Sequence, residues 1–128
     1  NQGADTPFIG PLAIAAFDAA GGTSYTGGGK IPVENIKGQG SGDAHWRESV
    51  LGTESMTPTV NSNVHNPFSA ISIQSLADIG YRVDVTQAEP YFLLLAAQLR
   101  IPDESAVDLS GDIRQGPIIV MNPKGRRR

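Results

Sequence analysis

A loop-rich α+β fold with two main helices and several short strands is predicted for this chain, and three observations predict it. Two stretches carry apolar residues at helical spacing between start and stop signals. Several short runs are β-branched or alternate in polarity, as strands do. Gly and Pro together supply 24 of the 128 residues, well above average usage, so long irregular connections separate the regular elements. Ala, Val, Ile, Leu, Met, Phe, Trp and Gly account for 62 residues, the ordinary globular share, and a core can form.

The first helix is predicted over Pro7 to Ala20, where Phe8, Leu12, Ala13, Ala16, Phe17 and Ala20 fall on one face. Thr6 is placed to cap it, Pro7 suits the first helical position, and Gly21-Gly22 offers a left-handed exit. From Gly27 to Gly42 a Gly-rich linker flanks one extended run, Lys30 to Ile36, which Pro32 confines to a sheet edge. Residues 42 to 58 follow neither period and are expected to be irregular but ordered. A second helix is predicted from Pro67 to Ile79, with Asn66 as its cap and Gly80 as its stop. Phe68, Ile71, Leu76 and Ile79 form its apolar face, and Asp78 is assigned to the wetter side. Tyr81 to Val85 alternates as a short strand. Tyr91 to Leu99 suits a short apolar helix, while Val107 to Asp112 and Pro117 to Met121 read as strands or extended packing segments.

Charge and composition exclude several functions. The formal net charge is −3, but Lys124, Arg126, Arg127 and Arg128 cluster at the end, and the rest holds six basic against thirteen acidic residues, a net −7. Such an acidic body argues against a nucleic-acid partner, which needs clustered Lys and Arg on a folded face. The basic tail reads as a solvated terminus or truncation point. Without cysteine, disulfides, Cys-based zinc sites and thiol nucleophiles are ruled out, leaving His and carboxylates as metal ligands. No run approaches the ~20 apolar residues that span a bilayer, so no transmembrane segment is expected. The Asn1-Gln2-Gly3-Ala4-Asp5 start shows neither an initiator Met nor a signal peptide, so residues 1–128 are expected to be a single domain or a fragment of a longer protein.

Two histidines are available. His65 stands in Asn61-Ser62-Asn63-Val64-His65-Asn66 with no partner at i±4 and is expected to be an exposed loop residue. His45 lies in Asp43-Ala44-His45-Trp46-Arg47-Glu48, beside the only Trp, and Ser55-Met56-Thr57-Pro58 follows as a polar turn closed by proline. Read alone, His45 is a hydrogen-bonded loop histidine and Met56 a plain core residue. Glu48 and Glu54 either support His45 or are ordinary solvated charges, or pair with Arg47; neither is assigned a catalytic role. Gly27-Gly28-Gly29-Lys30 fails as a phosphate loop, because Ile31 stands where Ser or Thr is required.

The ordered set of these motifs resembles the leishmanolysin-like family of metzincin zinc peptidases. His45-Trp46-Arg47-Glu48, then Met56, then Asn66-Pro67-Phe68-Ser69-Ala70-Ile71 and Ser75-Leu76-Ala77-Asp78-Ile79-Gly80-Tyr81 carry the resemblance. It extends upstream through Phe8-Ile9-Gly10, Ala16-Phe17, Gly21-Gly22 and Ile31-Pro32-Val33-Glu34-Asn35, covering residues 8 to about 91. The resemblance implies the C-terminal subdomain of a metzincin catalytic domain, with residues 100–128 as a possible extension. It implies that His45 is the third ligand of one Zn2+ and that Met56 is the Met-turn residue supporting the metal site. Thr57 to Val60 would border the primed side of a protein or peptide substrate. The family's HExxH helix, with two zinc ligands and the general-base Glu, does not occur here and is expected upstream of Asn1, in an N-terminal catalytic subdomain. This chain alone is therefore expected to be inactive, and to expose apolar surface that its partner subdomain buries. By resemblance the protein is secreted or at the cell surface. The alternative is a non-catalytic binding or adhesion module that keeps the subdomain fold.

Overall fold

The computed structural model describes residues 4–38, 40–93 and 106–109. Among them the arrangement is α+β, with four short helices and two small antiparallel sheets. The chain enters as β1 (Pro7–Phe8), which pairs with β2 (Ile31–Pro32), Phe8 opposite Ile31 and Pro7 opposite Pro32. The first helix therefore starts later than predicted. α1 spans Pro11–Ala19 behind Gly10. Two prolines suit the first helical position, and Pro11 takes it; Pro7 is tolerated in a two-residue edge strand, where a missing N–H costs little. Thr6 is not the cap, since its carbonyl accepts the Val33 N–H at 3.1 Å and continues the β1–β2 ladder.

The cap of α1 comes instead from the far end of the second long helix, α4 (Ala70–Asp78). Asp78 Oδ1 accepts the Leu12 N–H at 3.1 Å, and Oδ2 accepts the Ala13 N–H at 2.9 Å. Asp78 is thus half-buried between helices rather than on the wet face. The unsatisfied N–H groups and positive dipole end of α1 hold a carboxylate better than water does. The two helices pack together, and Ala13 and Phe17 share one core with Ile71, Ile31, Leu51 and Trp46. α4 itself starts at the Ser69 cap, three residues after the expected Asn66. Asn66 closes the preceding loop, its Nδ2 donating to Asn61 O at 2.7 Å while its Oδ1 accepts the Asn61 N–H at 3.1 Å.

The predicted exit from α1 forms, with Gly21 at φ +103°. One unexpected helical turn follows as α2 (Thr23–Thr26). The Lys30 to Ile36 run shortens to β2 plus a bridge from Val33 to Trp46, because Glu34 turns the chain. Its Oε1 accepts the N–H groups of Asn35, Ile36 and Lys37 at 3.0, 2.9 and 3.1 Å. Residues 42–58 are largely irregular, as expected, apart from the single turn α3 (Glu48–Leu51). β3 (Thr59–Val60) pairs with β4 (Val107–Asp108), so the strand expected from Val107 is present over its described part. Tyr81 to Val85 is not a strand. Val85–Gln87 is a 3-10 turn, nucleated when Asp84 Oδ1 accepts the Thr86 N–H at 3.0 Å. Of the Tyr91 to Leu99 helix only 91–93 are described; the remainder, Pro117 to Met121 and the basic tail lie outside the described residues. Of residues 91–93 two dock on the core, Leu93 N–H donating to Ala20 O at 2.9 Å and the Tyr91 hydroxyl to Leu51 O, while Phe92 is exposed.

Candidate functional site

The segment His45-Trp46-Arg47 is extended and held on two sides. Against β2 and its continuation, Glu34 N–H donates to His45 O at 2.8 Å and Arg47 N–H to Pro32 O at 3.0 Å. On the other side Trp46 N–H donates to Met56 O at 2.9 Å. The Trp46 ring is buried, edge-on to Phe8 at 5.6 Å between centroids. Arg47 is drawn away from the neighbouring acids, its Nη2 lying 2.7 Å from Asp5 Oδ1 and its Nε donating to Val33 O at 3.0 Å. The Arg47 guanidinium holds the Asp5 carboxyl below its ordinary value.

The Met56 turn is built by its own side chains. Thr57 Oγ1 donates within the turn toward Gly52 O at 3.0 Å and Glu54 O at 2.9 Å. Ser55 ties the turn to the approach to α4, its N–H donating to Pro67 O and its hydroxyl to Asn66 O. Glu54 is fully buried, which corrects the expectation that it is solvated or paired with Arg47. Its partners are Met56, Ser69 and Ser72, all of which donate to it. Glu48 is half-buried. Burial pushes its carboxyl above the ordinary value, and chiefly the Thr59 hydroxyl partly offsets this.

His45 and Met56 line the same open cleft of about 240 Å³, walled by Phe8, Val33, Phe68 and Leu76 and therefore mainly apolar. Met56 is 42% exposed there, which corrects the plain-core alternative. His45 is half-buried; its Nδ1 is buried and takes part in no hydrogen bond among the described residues. That nitrogen carries no bond that would compete with a ligand, but it is closed off from the surface and so does not by itself mark His45 as one. The donor set supplies one imidazole only, since among the described residues no three His, Asp or Glu side chains gather into a metal-holding group. Of the segment expected beside a substrate, Thr57 and Pro58 are fully buried, and only Thr59 and Val60 reach the surface.

His65 lies elsewhere, 71% exposed, with Nε2 2.8 Å from Glu89 Oε1. The Phe68 N–H, chiefly, and then His65 hold the Glu89 carboxyl below its ordinary value. The chain matches no protein-family model, and no curated protein or solved structure matches it. Among the described residues no helix is long and apolar enough to cross a membrane.

Two contributors to the site carried no clear sequence signal, Glu54 and Glu34; Asp78, which was also missed, caps α1 and does not line the cleft. The nearest to a signal is the pair Ser69 and Ser72, buried polar residues three apart, one the cap of α4 and the other on its buried face. Buried hydroxyls on an apolar helix face require a partner, and here the partner is Glu54.

Proposed function

We propose that these residues form the C-terminal part of the catalytic domain of a leishmanolysin-like zinc metalloendopeptidase, which hydrolyses peptide bonds. The observation that carries this reading is the junction of the histidine segment with the methionine turn: Trp46 N–H donates to Met56 O at 2.9 Å, and His45 and Met56 share one cleft. A third-ligand histidine above a supporting methionine needs both segments held at a fixed separation, and this pairing supplies it.

In this reading His45 contributes one imidazole lone pair, and Met56 forms a polarisable, deformable floor without being a ligand. The bound zinc supplies a Lewis acid for the scissile carbonyl and lowers the pKa of water. Two further imidazoles and the general-base Glu belong to an HExxH helix outside these 128 residues. Phe8, Phe68 and Leu76 offer an apolar wall to a substrate side chain. A secreted or cell-surface location accompanies the family and is part of the same proposal.

The test is intact mass and N-terminal peptide sequencing of the protein as its source produces it, followed by His45→Ala. The reading expects an HExxH motif upstream, and loss of both zinc retention and proteolysis in the variant. If the mature protein lacks that motif, or His45→Ala keeps its zinc, the peptidase reading fails. The apolar cleft then stands as the surface of a non-catalytic binding module.

A further inference from the structure

Glu54 is a fully buried carboxylate with no cation paired to it among the described residues. Such a group is retained only where hydrogen bonds replace its hydration. Oε1 accepts the Ser69 N–H at 3.1 Å, the Ser69 hydroxyl at 2.7 Å and the Ser72 hydroxyl at 2.6 Å, while Oε2 accepts the Met56 N–H at 2.6 Å. Ser72 Oγ, having donated its proton to Glu54, accepts the Trp46 indole N–H at 2.8 Å. One carboxylate therefore joins the methionine turn, the start of α4 and the segment that follows His45. Because Trp46 N–H also donates to Met56 O, the links close into a ring: Met56 to Glu54, Glu54 to Ser72, Ser72 to Trp46, Trp46 to Met56.

We propose that Glu54 is the positioning residue of the site, setting the separation of His45 from Met56 by holding Trp46 and Met56 through one buried carboxylate. The purpose of that positioning rests on the peptidase reading; the linkage does not. Every group that touches the carboxylate is a donor. Glu54→Gln keeps the shape but turns an NH2 against one of those donors, and the half of the ring it faces is lost.

A carboxylate that merely stabilises the fold predicts the same loss everywhere; a positioning residue predicts a local one. Asp78→Asn is the control, since it also sets an amide against backbone N–H groups, at the opposite end of α4. In this 128-residue chain, amide exchange is followed by NMR at Met56 N–H, Trp46 N–H and the Trp46 indole, relative to the amides of α1. In Glu54→Gln these three groups exchange about tenfold faster relative to α1, and the single Trp emission shifts to the red. In Asp78→Asn their rate relative to α1 stays within about twofold of wild type or falls, because α1 is what loosens. A uniform acceleration in Glu54→Gln overturns the proposal. If that variant does not fold, Ser72→Ala cuts the ring at one point; it is expected to speed the indole N–H about tenfold and the Met56 N–H several-fold, and an unchanged Met56 N–H overturns the proposal.

In the complete protein from its source, below the melting midpoint of each variant, Glu54→Gln lowers kcat about tenfold or more with KM held, and Asp78→Asn keeps both. Unchanged kcat in Glu54→Gln removes its role in the site. Absence of proteolysis in the unmodified protein removes the peptidase reading instead, and the exchange ratios still decide whether Glu54 positions Trp46 and Met56.

Discussion

Trp46 is pinned to Ser72 through its side chain, the indole N–H donating to the serine hydroxyl at 2.8 Å in a buried setting. Its ring also meets Phe8 edge-on. Trp46→Phe keeps an aromatic body but loses the indole hydrogen bond and part of the ring volume. The expected cost is about 2–3 kcal/mol, read as a lower urea midpoint with unchanged slope. A cost under about 0.5 kcal/mol, the usual range of surface substitutions, would mean that the pin contributes nothing to the fold.

Asp78 and Gly10 form one unit at the start of α1. A Cβ at Gly10 would lie 2.4 Å from Asp78 Oδ2 and 2.4 Å from Phe8 Cε1, so the capping carboxylate can approach only a residue without a side chain. Asp78→Ala is expected to cost about 1–2 kcal/mol through the lost cap. Gly10→Ala is expected to cost about 1–3 kcal/mol through overpacking. The double variant should cost less than the sum, because one of the two clashing groups is gone; strict additivity in thermal or urea unfolding would contradict the geometry.

These helix ends also mark the limit of what could be read from residues alone. The existence of α1 and α4 was legible, because Ala13, Phe17 and Ile71 fall at helical spacing and Gly21 and Gly80 stop the chain in left-handed conformations. Their apolar faces were only partly so: Leu12, Phe68, Leu76 and Ile79 are exposed, and α4 buries Ser72 and Ile73 beside Ile71. Their starts were not legible. Pro7 and Pro11 satisfy the same local rule, and only the pairing of Phe8 with Ile31 decides between them. Asp78 looked solvent-facing because its partner is the end of a helix distant in sequence. At the candidate site, His45 and Met56 could be named from their motifs, whereas the Glu54 network could not, since a carboxylate between polar residues carries no mark of burial. Nonlocal hydrogen bonding fixed these features, whereas the turns at Glu34 and Asp84 that cut short the predicted strands are local side-chain bonds to the backbone.

Gly22 is closed to any side chain for a different reason. Its φ of −63° is ordinary, but an added Cβ would sit 2.1 Å from Phe17 Cδ1, and Phe17 is fully buried at the centre of the core. The Gly22 N–H donates to Phe17 O at 2.7 Å, so the backbone cannot retreat without losing that bond. Gly22→Ala is expected to destabilise by about 1–3 kcal/mol, with the Phe17 ring resonances displaced in the NMR spectrum. Gly27→Ala, where a Cβ meets nothing within 4 Å but φ is +68°, should cost about 1 kcal/mol through backbone strain alone and leave Phe17 unmoved.

Acid sensitivity should trace to Glu34. Burial opposes its ionisation more than any other single influence, yet the N–H groups of Glu48, Ile36, Lys37 and Asn35 together outweigh it and hold the carboxyl below its ordinary 4.5. A folded value below the unfolded one means that the native state releases its proton more readily. The resulting stability is complete above pH 4.5 and is lost as pH falls through the depressed value. Glu89, Asp5, Asp43 and Asp84, also lowered but far more exposed than Glu34, act in the same direction. Glu48 acts oppositely: burial raises its folded value, so its contribution is greatest below pH 4.5 and fades as pH rises through the raised value. Between about pH 5 and pH 3 the urea midpoint of the wild type should fall, more gently in Glu34→Gln and more steeply in Glu48→Gln. If Glu34→Gln lowers stability at neutral pH but keeps the full acid slope, the four N–H groups around Glu34 are not the source of that slope.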